Sequence, residues 1–223
     1  MRLLLASAGI KNPSIHAALL DLLPKPIEEC NALCIPTASY GHPNAGPPRA
    51  WNFVAGAEPR CPMTELGWKS VGLLELTALP SLPRDGWLPW VENTDVLLVN
   101  GGDALYLAHH MRESGLADLL ASLSAVWVGL SGGSMVMTPR IGDDFKRWDP
   151  PGGGDKALGI VDFSIFPHLA PDGQPGNSMA EAEAWAAGID NPGYAMDDET
   201  AIVWVDGAVE VVSGTGHWKL LNA

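Results

Sequence analysis

The chain has 223 residues, 47% of them hydrophobic and 17% charged. That length and balance suit one globular α/β domain, residues 1–223, with a substantial core, and exclude a disordered chain. Thirteen Lys and Arg stand against 26 Asp and Glu, a formal net charge of -13, which repels nucleic acid and anionic membrane, and no basic stripe overrides it.

The partner left by that exclusion is a small molecule or peptide. No stretch approaches the roughly 20 apolar residues a membrane helix needs. The opening MRLLLASAGIKNPS has too short an apolar run for a signal peptide and reads as a buried first strand, Arg2 to Ala8. Cys30, Cys34 and Cys61 are odd in number and lack CxxC spacing, which suggests packing rather than a disulfide framework. A cytoplasmic location is the expectation.

Along the chain, short apolar runs alternate with segments of helical period. Pro13–Leu23 is read as a helix and Ala32–Ser39 as a strand. His42–Pro62 is rich in Pro and Gly, with a helix expected somewhere in Pro48–Leu66; its length and position fit a lid. Ser70–Leu76 reads as a strand and Pro80–Gly86 as a proline-punctuated connection. Asp95–Asn100 is an apolar strand, followed by Gly101-Gly102 and by Asp103 as N-cap of a helix from Ala104 to about Glu113. Leu116–Ser124 is helical and leads to the strand Ala125–Gly129. A short helix after Ser131 closes at Pro139. Gly159–Phe166 is a strand, Ser178–Ala187 an Ala-rich helix, and Ala201–Val205 with Ala208–Val212 a hairpin at Asp206-Gly207.

Strands buried on both faces and separated by helices imply a three-layer sandwich. Its mostly parallel central sheet is flanked by helices and extended by a C-terminal antiparallel hairpin.

Gly129-Leu130-Ser131-Gly132-Gly133 matches G-x-S-x-G between a strand and a helix, the setting in which a nucleophile sits on a sharp turn. Small neighbours are needed there, and a strained backbone would cost roughly 1–3 kcal/mol. The helix N-terminus would favour an oxyanion, with the Gly132 N–H beside the reacting carbonyl. The alternative makes Ser131 an N-cap and the glycines packing devices, and the pentapeptide alone leaves the two balanced. Ser134, one turn later, is expected to face the backbone. Gly101-Gly102-Asp103 opens the other helix and is either an ordinary capped turn or a substrate-binding loop carrying the second oxyanion donor.

His168 follows the strand ending at Phe166, at the edge where open α/β sheets gather ligands, and is the preferred general base. His16, His109 and His110 sit on helices, His42 in a loop and His217 near the terminus. No spacing supports a metal site. The acidic cluster Asp197-Asp198-Glu199 is the best source of a group to orient the imidazole. Its ordinary alternative is a solvated turn.

Together these pieces resemble the peptidase E (aspartyl dipeptidase) and cyanophycinase family of serine peptidases, whose fold is class I glutamine amidotransferase-like. The matching segments are CIPTAS (34–39), VNGGDALYLAHHMRESGL (99–116), VGLSGGSMV (128–136), GIVDFSIFPHL (159–169) and DDETAIVW (197–204). The resemblance implies Ser131 as nucleophile, His168 as base and Glu199 as the acidic member, with Asp198 in reserve. Gly102 and Gly132 would supply oxyanion N–H groups, within a substrate site that includes Gly101 and Asp103. No cofactor or metal is implied; the substrate would be a small peptide, and a homodimer is left open. Family members commonly have Ser-Ala-Gly at the elbow, where this chain has Ser131-Gly132-Gly133. The segment 169–185 contains no arginine, so the resemblance does not carry over a preference for Asp-X dipeptides.

Two other functions compete. An α/β-hydrolase esterase shares G-x-S-x-G but runs Ser, acid, His; it would need His217 as base with an earlier acid such as Asp162. An inactive amidotransferase-like binding protein would hold Ser131 and His168 out of hydrogen-bond reach.

Overall fold

A computed structural model describes residues 1–171, 173–174 and 176–223. The first strand, β1 (Arg2–Ala6), gives way to α1 (Pro13–Leu22), which starts at a proline and is capped by the Asn12 side chain accepting from the Ile15 N–H. Then come β2 (Asn31–Ile35), α2 (Gly46–Val54), β3 (Ser70–Leu73), α3 (Arg84–Glu92) and β4 (Val96–Val99). Next are α4 (Ala104–Glu113), α5 (Leu116–Leu119), β5 (Val126–Leu130), α6 (Gly132–Met135), β6 (Ser164–Phe166) and α7 (Met179–Ala186). The chain finishes with β7 (Gly193–Met196), β8 (Thr200–Val205), β9 (Ala208–Ser213) and β10 (Trp218–Leu221).

The main sheet has the order β3-β2-β4-β5-β1-β8-β9. Pairing is parallel from β3 through β1, and β8 and β9 are antiparallel. Alternate residues of the central strands enter two cores. Leu3, Leu5, Leu97, Val99 and Trp127 face one side; Leu4, Ala6, Leu98, Val128 and Leu130 face the other. Helices cover both sides, so the strands read as unbroken apolar runs. Each fully buried Leu or Val contributes about 1.5–3 kcal/mol.

The register is what assembles the site. Ala6 lies opposite Leu130, and Val99 opposite Gly129. The residues that leave β1, β4 and β5 therefore emerge side by side at the carboxyl edge, bringing Ser7, Gly101-Gly102 and Ser131 into one neighbourhood. Trp127 secures the arrangement from below, its buried indole N–H donating to the Gly133 carbonyl at 2.9 Å.

Several expected boundaries shift for local reasons. The strand expected over Gly159–Phe166 shortens to β6. Ala157, Leu158, Gly159 and Ile160 instead donate to carbonyls of residues 136–139. β6 also joins a second sheet, β10-β7-β6, rather than the main one. The proline-punctuated connection at 80–86 runs into α3, a helix that tolerates Pro89 in its interior. Beyond α2, residues 55–66 add no further helix. The hairpin forms as expected, with Asp206 and Gly207 at positive φ. Among the described residues no helix is long and apolar enough to cross a membrane.

Candidate active site

Ser131 stands alone between β5 and α6 at φ 50°, ψ -111°, a conformation that costs roughly 1–3 kcal/mol for a residue with a side chain. The surrounding contacts hold it there. Its N–H donates to the Ala6 carbonyl at 3.0 Å, and its carbonyl accepts from the N–H groups of Ser134 and Met135. Its hydroxyl makes no capping bond to α6. The oxygen lies instead 2.9 Å from Nε2 of His168. Ser134, one turn on, donates to the Ala6 carbonyl at 2.8 Å and faces the backbone.

His168 also sits at positive φ, 59°. Its N–H donates to Oγ of the fully buried Ser7 at 2.8 Å, and the next residue's N–H donates to the Met196 carbonyl. The imidazole is thus aimed by β1 and β7 as much as by its own strand. Its Nδ1 lies 2.6 Å from Oδ1 of Asp198. With a proton on Nδ1 donated to that carboxylate, Nε2 carries the lone pair that can accept from Ser131.

The acidic run is divided by the turn before β8. Asp197 is buried and accepts from the Glu199 N–H and the Thr200 hydroxyl. Asp198 meets the imidazole. Glu199, the acid implied by the family resemblance, lies elsewhere: the Asn12 amide donates to its Oε2 at 3.1 Å and to its carbonyl at 2.8 Å. The reserve residue, Asp198, therefore takes the contact expected of Glu199. Asp197 fixes the turn, so successive side chains leave in different directions. The bond from His168 holds the Asp198 carboxyl below its ordinary value against the opposing effect of burial, with Lys11, 3.5 Å away, adding to the shift.

Glycines bring the rest of the edge together. A Cβ on Gly132 would lie 2.4 Å from the Gly102 carbonyl oxygen, so the Ser131-Gly132 pair permits an approach that alanine would push apart. Gly102, at φ 144°, packs its α-carbon against the Ala38 backbone. The N–H groups of Gly102 and Gly132 have no hydrogen-bond acceptor among the described residues. Gly101 lines the cavity, but its N–H is occupied by the Asn100 side chain at 2.8 Å. The α6 helix is a single turn, so any anion stabilisation comes from these local amides rather than from a long helix dipole.

Asp103 is 1% exposed and does not reach the cavity. One oxygen caps α4 by accepting from the Tyr106 N–H at 2.7 Å, and the other accepts from the N–H groups of Arg147 and Trp148 at 2.9 and 2.8 Å. It anchors the cavity wall. The cavity itself, about 250 Å³, places Ser131 and His168 beside His42, Arg49, Phe145 and Arg147.

His217 bonds the Ala170 carbonyl at 3.2 Å, and the order of interacting groups along the chain is Ser131, His168, Asp198, unlike the α/β-hydrolase order. Among the described residues no group of three or more His, Cys, Asp or Glu is placed to hold a metal. Burial pushes the Cys34 thiol up to about 12, and raises those of Cys30 and Cys61.

Sequence reasoning missed Ser7, Lys11, Asn12, Arg49 and Arg147. The first three leave the carboxyl end of β1, where ligands gather in such sheets, a signal the pattern SAGIKN carries. The arginines follow no periodic signal.

The profile of Peptidase family S51 matches residues 3–212. Peptidase E of Salmonella arizonae (strain ATCC BAA-731 / CDC346-86 / RSK2980) is 26% identical over 147 residues, 62% of this chain and 59% of that protein. The match thus spans about three fifths of that curated relative. A Listeria monocytogenes EGD-e protein solved as a candidate peptidase E superposes with a TM-score of 0.65 at 16% identity, covering 95% of this chain and 98% of the other. A peptidase from an acI-B1 Actinobacterium gives 0.54 at 20% identity, covering 99% and 86%. At those identities the structural likeness is one of fold.

Proposed function

The chain belongs to peptidase family S51, and on that premise we propose that it is a serine-type exopeptidase that hydrolyses dipeptides or short peptides through an acyl-enzyme. The observation that carries this reading is the 2.9 Å contact between Ser131 Oγ and His168 Nε2, on a serine whose hydroxyl does no capping.

In the scheme, Ser131 Oγ attacks the scissile carbonyl carbon while its proton passes to His168 Nε2. The carbonyl oxygen becomes an oxyanion facing the N–H groups of Gly102 and Gly132, each such donor contributing about 10²–10³ in rate. Asp198 keeps the imidazole in the receptive tautomer and stabilises the imidazolium. The tetrahedral species collapses as His168 gives its proton to the departing amine and the C–N bond breaks. Water then enters, loses a proton to His168 and attacks the acyl carbon, and Ser131 leaves with that proton.

The test is turnover of a dipeptide panel, varied at the N-terminal residue, by the wild type and by Ser131→Ala. Loss of turnover by at least about 10³-fold with unchanged thermal unfolding is expected. A fully active Ser131→Ala protein overturns the reading. Simple esters run beside the panel separate peptidase from esterase activity.

A further inference from the structure

Two arginines that this reaction scheme leaves unused share the cavity with the nucleophile. Arg49 comes from α2 and Arg147 from the loop after Phe145. The arginine ion pairs among the described residues belong to Arg140. No Asp or Glu is among the described residues lining the cavity. The two carboxylates bonded to Arg147 and His168 of its wall already have partners. Asp103 accepts from three backbone N–H groups, and Asp198 is held by His168 and Lys11.

His42 completes the wall. Burial, together with the charges of Arg147 and Arg49, lowers its pKa, so it is neutral at neutral pH, with Nδ1 accepting from the Asn44 N–H. Both guanidinium groups are therefore close enough to be felt at one imidazole. In a protein of net charge -13, this cavity is a positive enclave. A peptide ammonium entering it meets no lining carboxylate, whereas a carboxylate meets two guanidinium groups, that of Arg147 keeping donors to spare beside the one it gives to the Lys146 carbonyl at 3.0 Å.

We propose that Arg49 and Arg147 form a subsite for the α-carboxylate of the substrate's C-terminal residue. The enzyme thereby recognises a dipeptide by its carboxyl end rather than its amino end. The inference rests on the peptidase reading only in taking the ligand to be a peptide. A small cavity suits a chain that ends one residue, about 3.5 Å, past the scissile bond. Met135, Ile141 and Phe145 line the same cavity and offer an apolar surface to a side chain, which leaves the guanidinium groups to the terminus. Asp103 positions Arg147 by fixing its backbone, so that this charge is held on the cavity wall rather than on a free loop.

The experiment measures binding to the full-length Ser131→Ala protein by titration calorimetry, using Ala-Phe, its C-terminal amide, N-acetyl-Ala-Phe and Asp-Phe-amide. Amidation is expected to weaken binding at least about tenfold, N-acetylation to change it less than about threefold, and Asp-Phe-amide to bind no better than Ala-Phe-amide. Adding Arg49→Gln and Arg147→Gln should erase the difference between Ala-Phe and its amide. Circular dichroism confirms that each variant is folded. Each of four results overturns the subsite: an amidation effect under twofold, an effect that survives both arginine replacements, recovery of affinity by the aspartyl side chain, or no binding by any of the peptides at millimolar concentration. Turnover of Ala-Phe by the protein with Ser131 intact is scored separately, so the peptidase reading and the subsite can fail independently.

Discussion

Oδ1 of Asp198 lies 2.6 Å from Nδ1 of His168, while the neighbouring Glu199 carboxylate is bound by Asn12 on the opposite flank of the turn. A one-residue difference decides which acid reaches the imidazole of His168. Asp198→Asn should lower kcat by about 10³–10⁴ by favouring the wrong imidazole tautomer. Glu199→Gln should remain within a few-fold of wild type, since its amide can still bond Asn12. Steady-state kinetics on the two variants decide the assignment; the reverse pattern would restore Glu199.

The same contact predicts a pH window for stability. The folded carboxyl of Asp198 titrates below its ordinary value of 3.8, so its contribution is fully present above that value and is lost as pH falls through the lower, folded value. Urea unfolding of wild type and Asp198→Asn should show a midpoint difference that shrinks as pH falls below about pH 4. A difference that grows below about pH 4 would contradict the proposed stabilisation of the ionised form. Both partners are roughly half exposed, so solvent screening keeps the effect modest.

Gly102 is constrained twice, by its φ of 144° and by the Ala38 carbonyl, 2.2 Å from where a Cβ would stand. Gly102→Ala should cost at least about 1–3 kcal/mol from backbone strain alone. By moving the oxyanion donor proposed above it should also reduce kcat by about 10²-fold. Thermal unfolding and kcat measured on the same preparation check both. A stable, fully active variant would show that this N–H is not a donor to the oxyanion.

Asp103 joins the cap of α4 to the wall that carries Arg147. An asparagine there has one acceptor oxygen, so either the cap or the tie to Arg147 and Trp148 is lost. Asp103→Asn should destabilise the protein by about 1–3 kcal/mol. Hydrogen exchange should quicken at the Arg147 and Trp148 amides if the tie is lost, or at Tyr106 if the cap is. Exchange unchanged at all three would show that the carboxylate is dispensable to both.

The sequence by itself determined the scaffold of alternating strands and helices, the turn at Ser131, the glycine loop at Gly101-Gly102 and the placing of His168 at the same edge of the sheet. These are local properties: a serine between small residues at a strand–helix junction, or an N-cap three residues before the helix N–H it accepts from, is written in consecutive positions. Tertiary structure alone decided the rest. Asp198 rather than Glu199 faces the imidazole because a buried Asp197 fixes the turn. Ser7 aims His168 because β1 lies between β5 and β8 in the sheet. Arg49 and Arg147 line the cavity at Ser131 across nearly a hundred residues, brought there by the packing of α2 against the loop that follows Phe145. Pairwise approach between distant segments depends on register and on which side chains are already satisfied, and neither quantity is encoded in any single stretch of the chain.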